Sequence, residues 1–367
     1  GLVLAEDGRK MSKKLKNYPD PWEVLTNYGA DALRYYLFTS PVVRAEDLNF
    51  AERDLQTIVR GFLNLFWNVT TFYKTYATDD VKVGKPRSAH VLDRWILSRT
   101  QALLEEVTKQ MDAYDLVAAS RPLRSFVEDL STWWLRRSRD RLKSENAYER
   151  MDALKTLREV LEMLAKIAAP FIPFLAEKVY LDIGGAKASV HLEKWPKPET
   201  RLRDVQLEED MEWVRKIVSE THELRSKAGI PVRQALAKLE NAIVSPDEFN
   251  RRHKQKHLLE IIRDEVNVEA VYLEGRSLEG VEYTLDLDKE ITPELKRKGM
   301  RREFSRYVMQ LRKQSGLEPK DRAHVQYFFP EGEAREAIAE AGAEFAKDLR
   351  AESINLVEKW VNEPEFS

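Results

Sequence analysis

Asp54-Leu55-Gln56-Thr57-Ile58-Val59-Arg60-Gly61-Phe62-Leu63-Asn64-Leu65-Phe66-Trp67-Asn68-Val69-Thr70-Thr71-Phe72 is the stretch that decides the fold. Leu55, Ile58, Val59, Phe62, Leu63, Phe66, Trp67, Val69 and Phe72 recur at three- and four-residue spacing, so they share one stripe of a long amphipathic helix that starts near Asn49. The same periodicity downstream predicts helices over 88–112, 114–143 and 147–182. The last should break at Pro170 and Pro173, where proline removes a backbone donor and clashes with the preceding turn. Short connections between long helices predict an antiparallel bundle. A Gly184-Gly185 turn and the segment Val190-His191-Leu192-Glu193-Lys194-Trp195-Pro196 close it. Upstream, Pro19-Asp20-Pro21 predicts a helix start with Asp20 as N-cap and Pro21 at the first helical position, followed by Leu25, Leu33, Tyr36 and Leu37 up to Pro41. Leu2-Val3-Leu4 reads as strand running into an Asp7-Gly8 turn.

After Pro198 helices alternate with β-branched runs such as Val268 to Leu273, Val281 to Leu287 and Ala323 to Phe329. Helices are expected near 207–228, 247–263, 293–315 and 333–350. The expected fold class is therefore mainly α, an antiparallel helical bundle followed by a smaller α+β domain. The expected division is 1–48, 49–198 and 199–367, since 367 residues exceed one compact core. Opening at Gly1 on strand residues suggests a fragment of a longer protein.

Composition narrows the function classes. The 60 Lys and Arg nearly cancel the 62 Asp and Glu, so a nucleic-acid surface has to be a local patch. There are no cysteines, which excludes disulfides and thiolate zinc sites and agrees with a reducing compartment. Among the six histidines only His253 and His257 stand four apart, in a run of Arg, Lys and Gln that reads as a solvated helix face and not as a metal site. No apolar run approaches the ~18 to 20 residues that cross a bilayer, so no membrane association and a cytoplasmic location are expected.

Two stretches can carry chemistry. Gly8-Arg9-Lys10-Met11-Ser12-Lys13-Lys14-Leu15-Lys16-Asn17 packs five cations into eight positions behind a glycine and shows no apolar stripe. Such a loop can move and bring ammonium groups onto phosphates; by composition alone a basic loop is more often just a solvated surface. The second stretch is Glu128-Asp129-Leu130-Ser131-Thr132-Trp133-Trp134-Leu135-Arg136-Arg137-Ser138-Arg139-Asp140-Arg141-Leu142-Lys143. Arginines make planar bidentate contacts to phosphate, and Trp133 or Trp134 can stack on an unpaired base. The alternative is that both tryptophans are core and the arginines pair with Glu128, Asp129 and neighbouring acids.

The loop resembles the Lys-Met-Ser-Lys-Ser signature of class I aminoacyl-tRNA synthetases, with Lys14 where that family has its final serine. Leu15-Lys16-Asn17-Tyr18-Pro19-Asp20-Pro21 and Tyr28-Gly29-Ala30-Asp31-Ala32-Leu33-Arg34 resemble its continuation in the isoleucine, valine and leucine branch. Further stretches resemble the isoleucine type in order: Glu46-Asp47-Leu48-Asn49-Phe50, Val190-His191-Leu192, Ala228-Gly229-Ile230-Pro231-Val232-Arg233-Gln234, and Asp288 through Lys296. Residues 320–367 show no heptads of the kind that form a valyl-type coiled-coil arm.

The resemblance implies that Lys10 and Lys13 stabilise charge on ATP phosphates during activation of isoleucine, with Met11 and Ser12 shaping the ATP-binding loop and Gly8 as its hinge. It implies Mg2+ with the ATP and no zinc module in this cysteine-free chain. It places the Trp133–Lys143 stretch on a class Ia anticodon-binding domain, one tryptophan buried and Arg136, Arg137, Arg139 and Arg141 facing tRNA(Ile). Arg233, with Arg225 and Lys227, reads as a basic loop near the tRNA or as cations drawn to a helix C-terminus. Lys296-Arg297-Lys298 and Arg301-Arg302 read as a solvated face first, a backbone contact second. The family's His-x-Gly-His element, amino-acid pocket and editing insertion have no counterpart in these residues, so isoleucine and most of ATP are expected to bind an upstream domain, and this chain alone is expected to be inactive. A monomer is expected. Two alternatives stand beside this reading: a free-standing tRNA-binding module, and a valyl- or leucyl-type fragment.

Overall fold

The computed structural model describes residues 1–357 except 79–80, 82–85, 87, 244–245, 276–282, 319–320, 330–331, 342–344 and 348, and for 241–243 and 246–248 the backbone alone. It separates into two compact units, Gly1–Glu208 and Glu209–Ser367.

The first unit begins with β1 (Val3–Leu4), parallel to β2 (Leu48–Asn49) in the register Val3↔Leu48 and Leu4↔Asn49. Between them α1 (Pro21–Tyr28) starts as the sequence predicts, with the Asp20 carboxylate accepting from the Trp22 amide and Pro21 opening the helix. Gly29, at φ 82, turns the chain into α2 (Ala30–Thr39). The long helix read from the opening stretch is present as α3 (Glu52–Ile58) and α4 (Asn64–Tyr76), joined without a break by one wide π-helical turn, Val59–Leu63. α5 (Val91–Asp112) follows. Then come α6 (Leu116–Glu128) and α7 (Arg136–Leu142), again continuous through a π-helical turn, Asp129–Leu135. α8 (Ala147–Ala168) and α9 (Pro173–Asp182) are separated where Pro170 and Pro173 require it.

Leu55, Phe62, Phe66, Leu104, Leu123, Leu157 and Leu161 from these helices are fully buried in one core. The N-cap of α9, Ile172, has no side-chain oxygen to offer. Asp31 of α2 supplies it instead, accepting from the amides of Phe174 (3.3 Å) and Leu175 (2.7 Å), where unpaired N–H groups and the helix dipole favour an anion. Burial pushes the Asp31 carboxyl above its ordinary range, and the two amides offset part of that. The predicted closing segment is a short 3-10 turn, Val190–Leu192, whose Val190 amide donates to Glu177 (2.8 Å).

The boundary between units falls inside α10 (Val205–Lys227). In the second unit β3 (Leu236–Ile243) is central to a three-stranded sheet, parallel to β4 (Val268–Gly275) and antiparallel to β5 (Tyr283–Leu287). α11 (Pro246–Arg252) and α12 (Lys256–Val266) form the crossover between β3 and β4. α13 (Pro293–Gln314) packs on α14 (Glu333–Ala339), and β6 (Ala323–Tyr327) pairs in parallel with β7 (Ala351–Leu356). Phe304, Val308, Tyr327, Ile338, Leu349 and Ala351 make the core there.

Three expectations are corrected in detail. The predicted helix 247–263 is two helices, because the chain turns at 253–255. The predicted helix 333–350 is helical at Glu333–Ala339 and again at 345–347, with a turn at 340–341, while 342–344 and 348 lie outside the described residues, as do Val281 and Glu282 at the head of the predicted strand 281–287. β3 and β7 were not expected as strands: Lys238, Glu240 and Asn241 in one and Glu352, Ser353 and Asn355 in the other dilute the β-branched signal.

Candidate ATP-binding loop and nucleic-acid interface

The basic loop is anchored at its start by a turn. Leu4 and Lys10 bridge as antiparallel partners, the Ala5 amide donates to the Arg9 carbonyl (2.9 Å), and Gly8 adopts φ 80, a conformation with low cost for a residue lacking Cβ. Asp7 is tied to Arg9 through the Arg9 amide and guanidinium, whose hydrogen bond holds the Asp7 carboxyl below its usual range. Beyond Lys10 the Ser12 carbonyl accepts from the Leu15 and Lys16 amides (3.1 and 3.0 Å), with Lys16 in the left-handed region at φ 47.

The side chain of Asn17 then crosses the loop. Its Oδ1 accepts from the Ser12 amide (2.9 Å) and its Nδ2 donates to the Lys10 carbonyl (3.2 Å). Met11 and Ser12 are half-buried, while Lys10, Lys13 and Lys14 are exposed and, among the described residues, pair with no carboxylate. With Lys16, also exposed, the loop therefore presents four solvated ammonium groups on a backbone held by hydrogen bonds.

In the helical stretch the two tryptophans part company. Trp134 is fully buried and its Nε1 donates to Asp93 Oδ1 (2.9 Å). Arg141 reaches the same carboxylate in bidentate fashion, Nη1 to Oδ1 at 2.9 Å and Nη2 to Oδ2 at 2.7 Å, and Asp93 itself is completely buried. Of the two tryptophan candidates Trp134 is the buried one, and a fully buried indole has no face to offer a base. Arg141, expected on the tRNA-facing side, is corrected: a guanidinium forked onto a buried carboxylate stays with it. Trp133 is half-buried, with the Arg136 guanidinium 6.0 Å from its ring centroid and Arg136 Nε on the Thr132 carbonyl (2.8 Å). Arg136 and Arg139 are exposed and Arg137 is half-buried. Trp133, Arg136, Arg137 and Arg139 are the members of the set that retain a surface.

In the second unit Arg233 is paired with Glu303, which also holds Arg306. Arg225 is buried and donates to three carbonyls, of Pro231 (3.3 Å), Gln234 (3.0 Å) and Asn267 (2.9 Å); burial brings its pKa down to about 10. It holds the 229–236 segment in place and does not face solvent. Lys296 pairs with Glu333, Lys298 with Glu269, and Arg297 and Arg301 share Glu340, so this cluster is an internally neutralised surface. His257 pairs with Glu260 and His253 lies against Phe249. Among the described residues no group of three or more His, Asp or Glu could hold a metal ion, and no helix is long and apolar enough to cross a membrane.

Asn17 and Asp93 are the functional neighbours that sequence reasoning missed as such. Asn17 lies inside the motif, but its reach back to Lys10 depends on the Lys16 turn. Asp93 lies 41 residues from Trp134 and 48 from Arg141.

Residues 93–241 match the family described as the anticodon-binding domain of tRNA ligase, and residues 1–49 match the class I tRNA synthetases for I, L, M and V. The chain is 40% identical over 279 residues to the isoleucine-tRNA ligase of Protochlamydia amoebophila, covering 74% of this chain and 26% of that protein. It is 37% identical over 322 residues to that of Treponema denticola (81% and 29%), and 39% identical over 284 residues to that of Chlamydia trachomatis serovar D (74% and 26%). The chain thus spans between a quarter and a third of the length of these curated relatives. With the signature loop inside one matched segment and α6 to α9 inside the other, the chain carries a class I tRNA synthetase segment and a tRNA-ligase anticodon-binding domain, and over most of its length it is similar to isoleucine-tRNA ligases.

Proposed function

We propose that this chain supplies the ATP-closing loop and the tRNA-holding bundle of an isoleucine-tRNA ligase of the cytoplasm. In this reading 1–48 is the end of the catalytic domain, 49–198 the anticodon-binding bundle and 199–367 the C-terminal domain of a monomeric enzyme specific for tRNA(Ile). The observation that carries the reading is the pair Lys10 and Lys13, exposed and unpaired on a tethered loop within the segment that matches the class I synthetases.

Activation of an amino acid joins its carboxylate to the α-phosphate of ATP and expels pyrophosphate. Negative charge grows on phosphate oxygens as the bond to the leaving group breaks, so ammonium groups that close over the triphosphate lower the barrier more than they strengthen ground-state binding. Lys10 and Lys13 take that role, Met11 and Ser12 shape the loop, and Gly8 is the point where it swings. Mg2+ enters with ATP. The two carboxylates within the turn, Glu6 and Asp7, are paired with Arg53 and Arg9, so these residues contribute cations and not metal ligands. On the bundle, Trp133 with Arg136, Arg137 and Arg139 meets a single-stranded anticodon loop, whose splayed bases a stacked aromatic and arginine surface can receive.

Lys13→Ala in the assembled ligase should lower isoleucine-dependent ATP–pyrophosphate exchange by about a hundredfold, the scale of one lost transition-state donor, while tRNA affinity is unchanged. A free-standing tRNA-binding module gives the opposite result, with no nucleotide chemistry for Lys13 to affect.

A further inference from the structure

The loop that carries Lys10 and Lys13 has no apolar stripe, yet its backbone follows a closed path. The cause is one carboxamide. Ser12 turns its amide inward and Lys10 turns its carbonyl inward; the first needs an acceptor, the second a donor. Asn17 offers one of each from a single planar group, at 2.9 Å and 3.2 Å. The chain can bring Asn17 back to that position because Ser12 O takes the amides of both Leu15 and Lys16, and Lys16 sits in the left-handed region. A carboxylate could serve only the Ser12 amide and would repel the Lys10 carbonyl. An alanine would serve neither.

We propose that Asn17 is a positioning residue: it fixes the arc from Lys10 to Ser12, so that the Lys10 and Lys13 side chains leave the backbone from set points before any phosphate arrives. This rests on the ATP reading given above and adds to it a residue that touches no substrate. Ordering the arc in advance removes a conformational cost that would otherwise fall on nucleotide closure, so the bracket acts on the nucleotide step and not on the stability of the bundle.

Two measurements test it. In the chain as it stands, trypsin cleavage after Lys13 and Lys14, followed by mass spectrometry, should be several-fold faster in Asn17→Ala, with the thermal midpoint unchanged; equal cleavage rates overturn the bracket. In the assembled ligase, kcat/KM for ATP in isoleucine-dependent exchange should fall about tenfold in Asn17→Ala, equivalent to ~1.4 kcal/mol. Asn17→Asp, which keeps the acceptor, should fall between that variant and the parent, and tRNA binding should not move in either. Unchanged exchange kinetics in both Asn17 variants, with Lys13→Ala still impaired, overturns the positioning role and leaves the ATP reading standing. Unchanged exchange in Lys13→Ala overturns the reading beneath it.

Discussion

Asp93 has no solvent exposure and serves two donors, the indole of Trp134 and the guanidinium of Arg141. Removing one partner of such a cluster leaves the other buried and unpaired, which costs more than the pair contributes net. Asp93→Ala should therefore lower the unfolding free energy by about 3 kcal/mol, read from the urea midpoint. Arg141→Ala should cost a similar amount, and the double variant should cost clearly less than the sum, since the second change no longer strands a partner. Additive losses would mean that the three groups do not act as a unit. The identity of Trp133 and Trp134 as neighbours in the sequence conceals this difference. Only the wide turn at Asp129–Leu135 decides which indole points to the core, and its geometry depends on the helices packed around it.

At the scale of elements, the two π-helical turns, Val59–Leu63 and Asp129–Leu135, each hold one residue more than an α-helical turn would. Deleting the exposed Arg60 should convert the first into α-helix while the residues on either side keep their burial. The thermal midpoint should then stay within about 5 °C of the parent. Deleting Lys155 from α8, which has no such turn, rotates everything after it by about 100° and should abolish a cooperative transition. Equal losses in the two deletions would contradict this. Much of this architecture was legible. α5 and α8 follow from apolar spacing, the start of α1 from Asp20 and Pro21, and the α8–α9 break from Pro170 and Pro173. What stayed hidden depends on partners distant in sequence. β3 is a strand because β4 and β5 flank it, although Lys238, Glu240 and Asn241 interrupt its own pattern. At the candidate site the lysines were readable from the motif, but the Asn17 bracket was not, since it requires knowing how Lys16 bends.

For the whole molecule the formal charge is −2, so no general field draws nucleic acid to it. The proposed tRNA binding therefore has to come from a local surface, and its salt dependence would count the phosphates that surface meets. Arg136→Ala and Arg139→Ala should each reduce the slope of log affinity against log salt by about 1. Lys298→Ala, taken from a cation already paired with Glu269 and Glu294, should leave it unchanged. A filter-binding series across salt separates these cases, and equal slopes in all three variants would remove the bundle face from the interface. The cap that Asp31 places on α9 has a consequence of another kind. It joins residues 143 and 144 positions apart in the chain, and Arg34 reaches the Pro170 carbonyl across 136. During synthesis on the ribosome α2 therefore waits, with its acceptor unoccupied, until α9 has emerged. The segment that follows the basic loop is made before α9 and settles only once α9 has joined it.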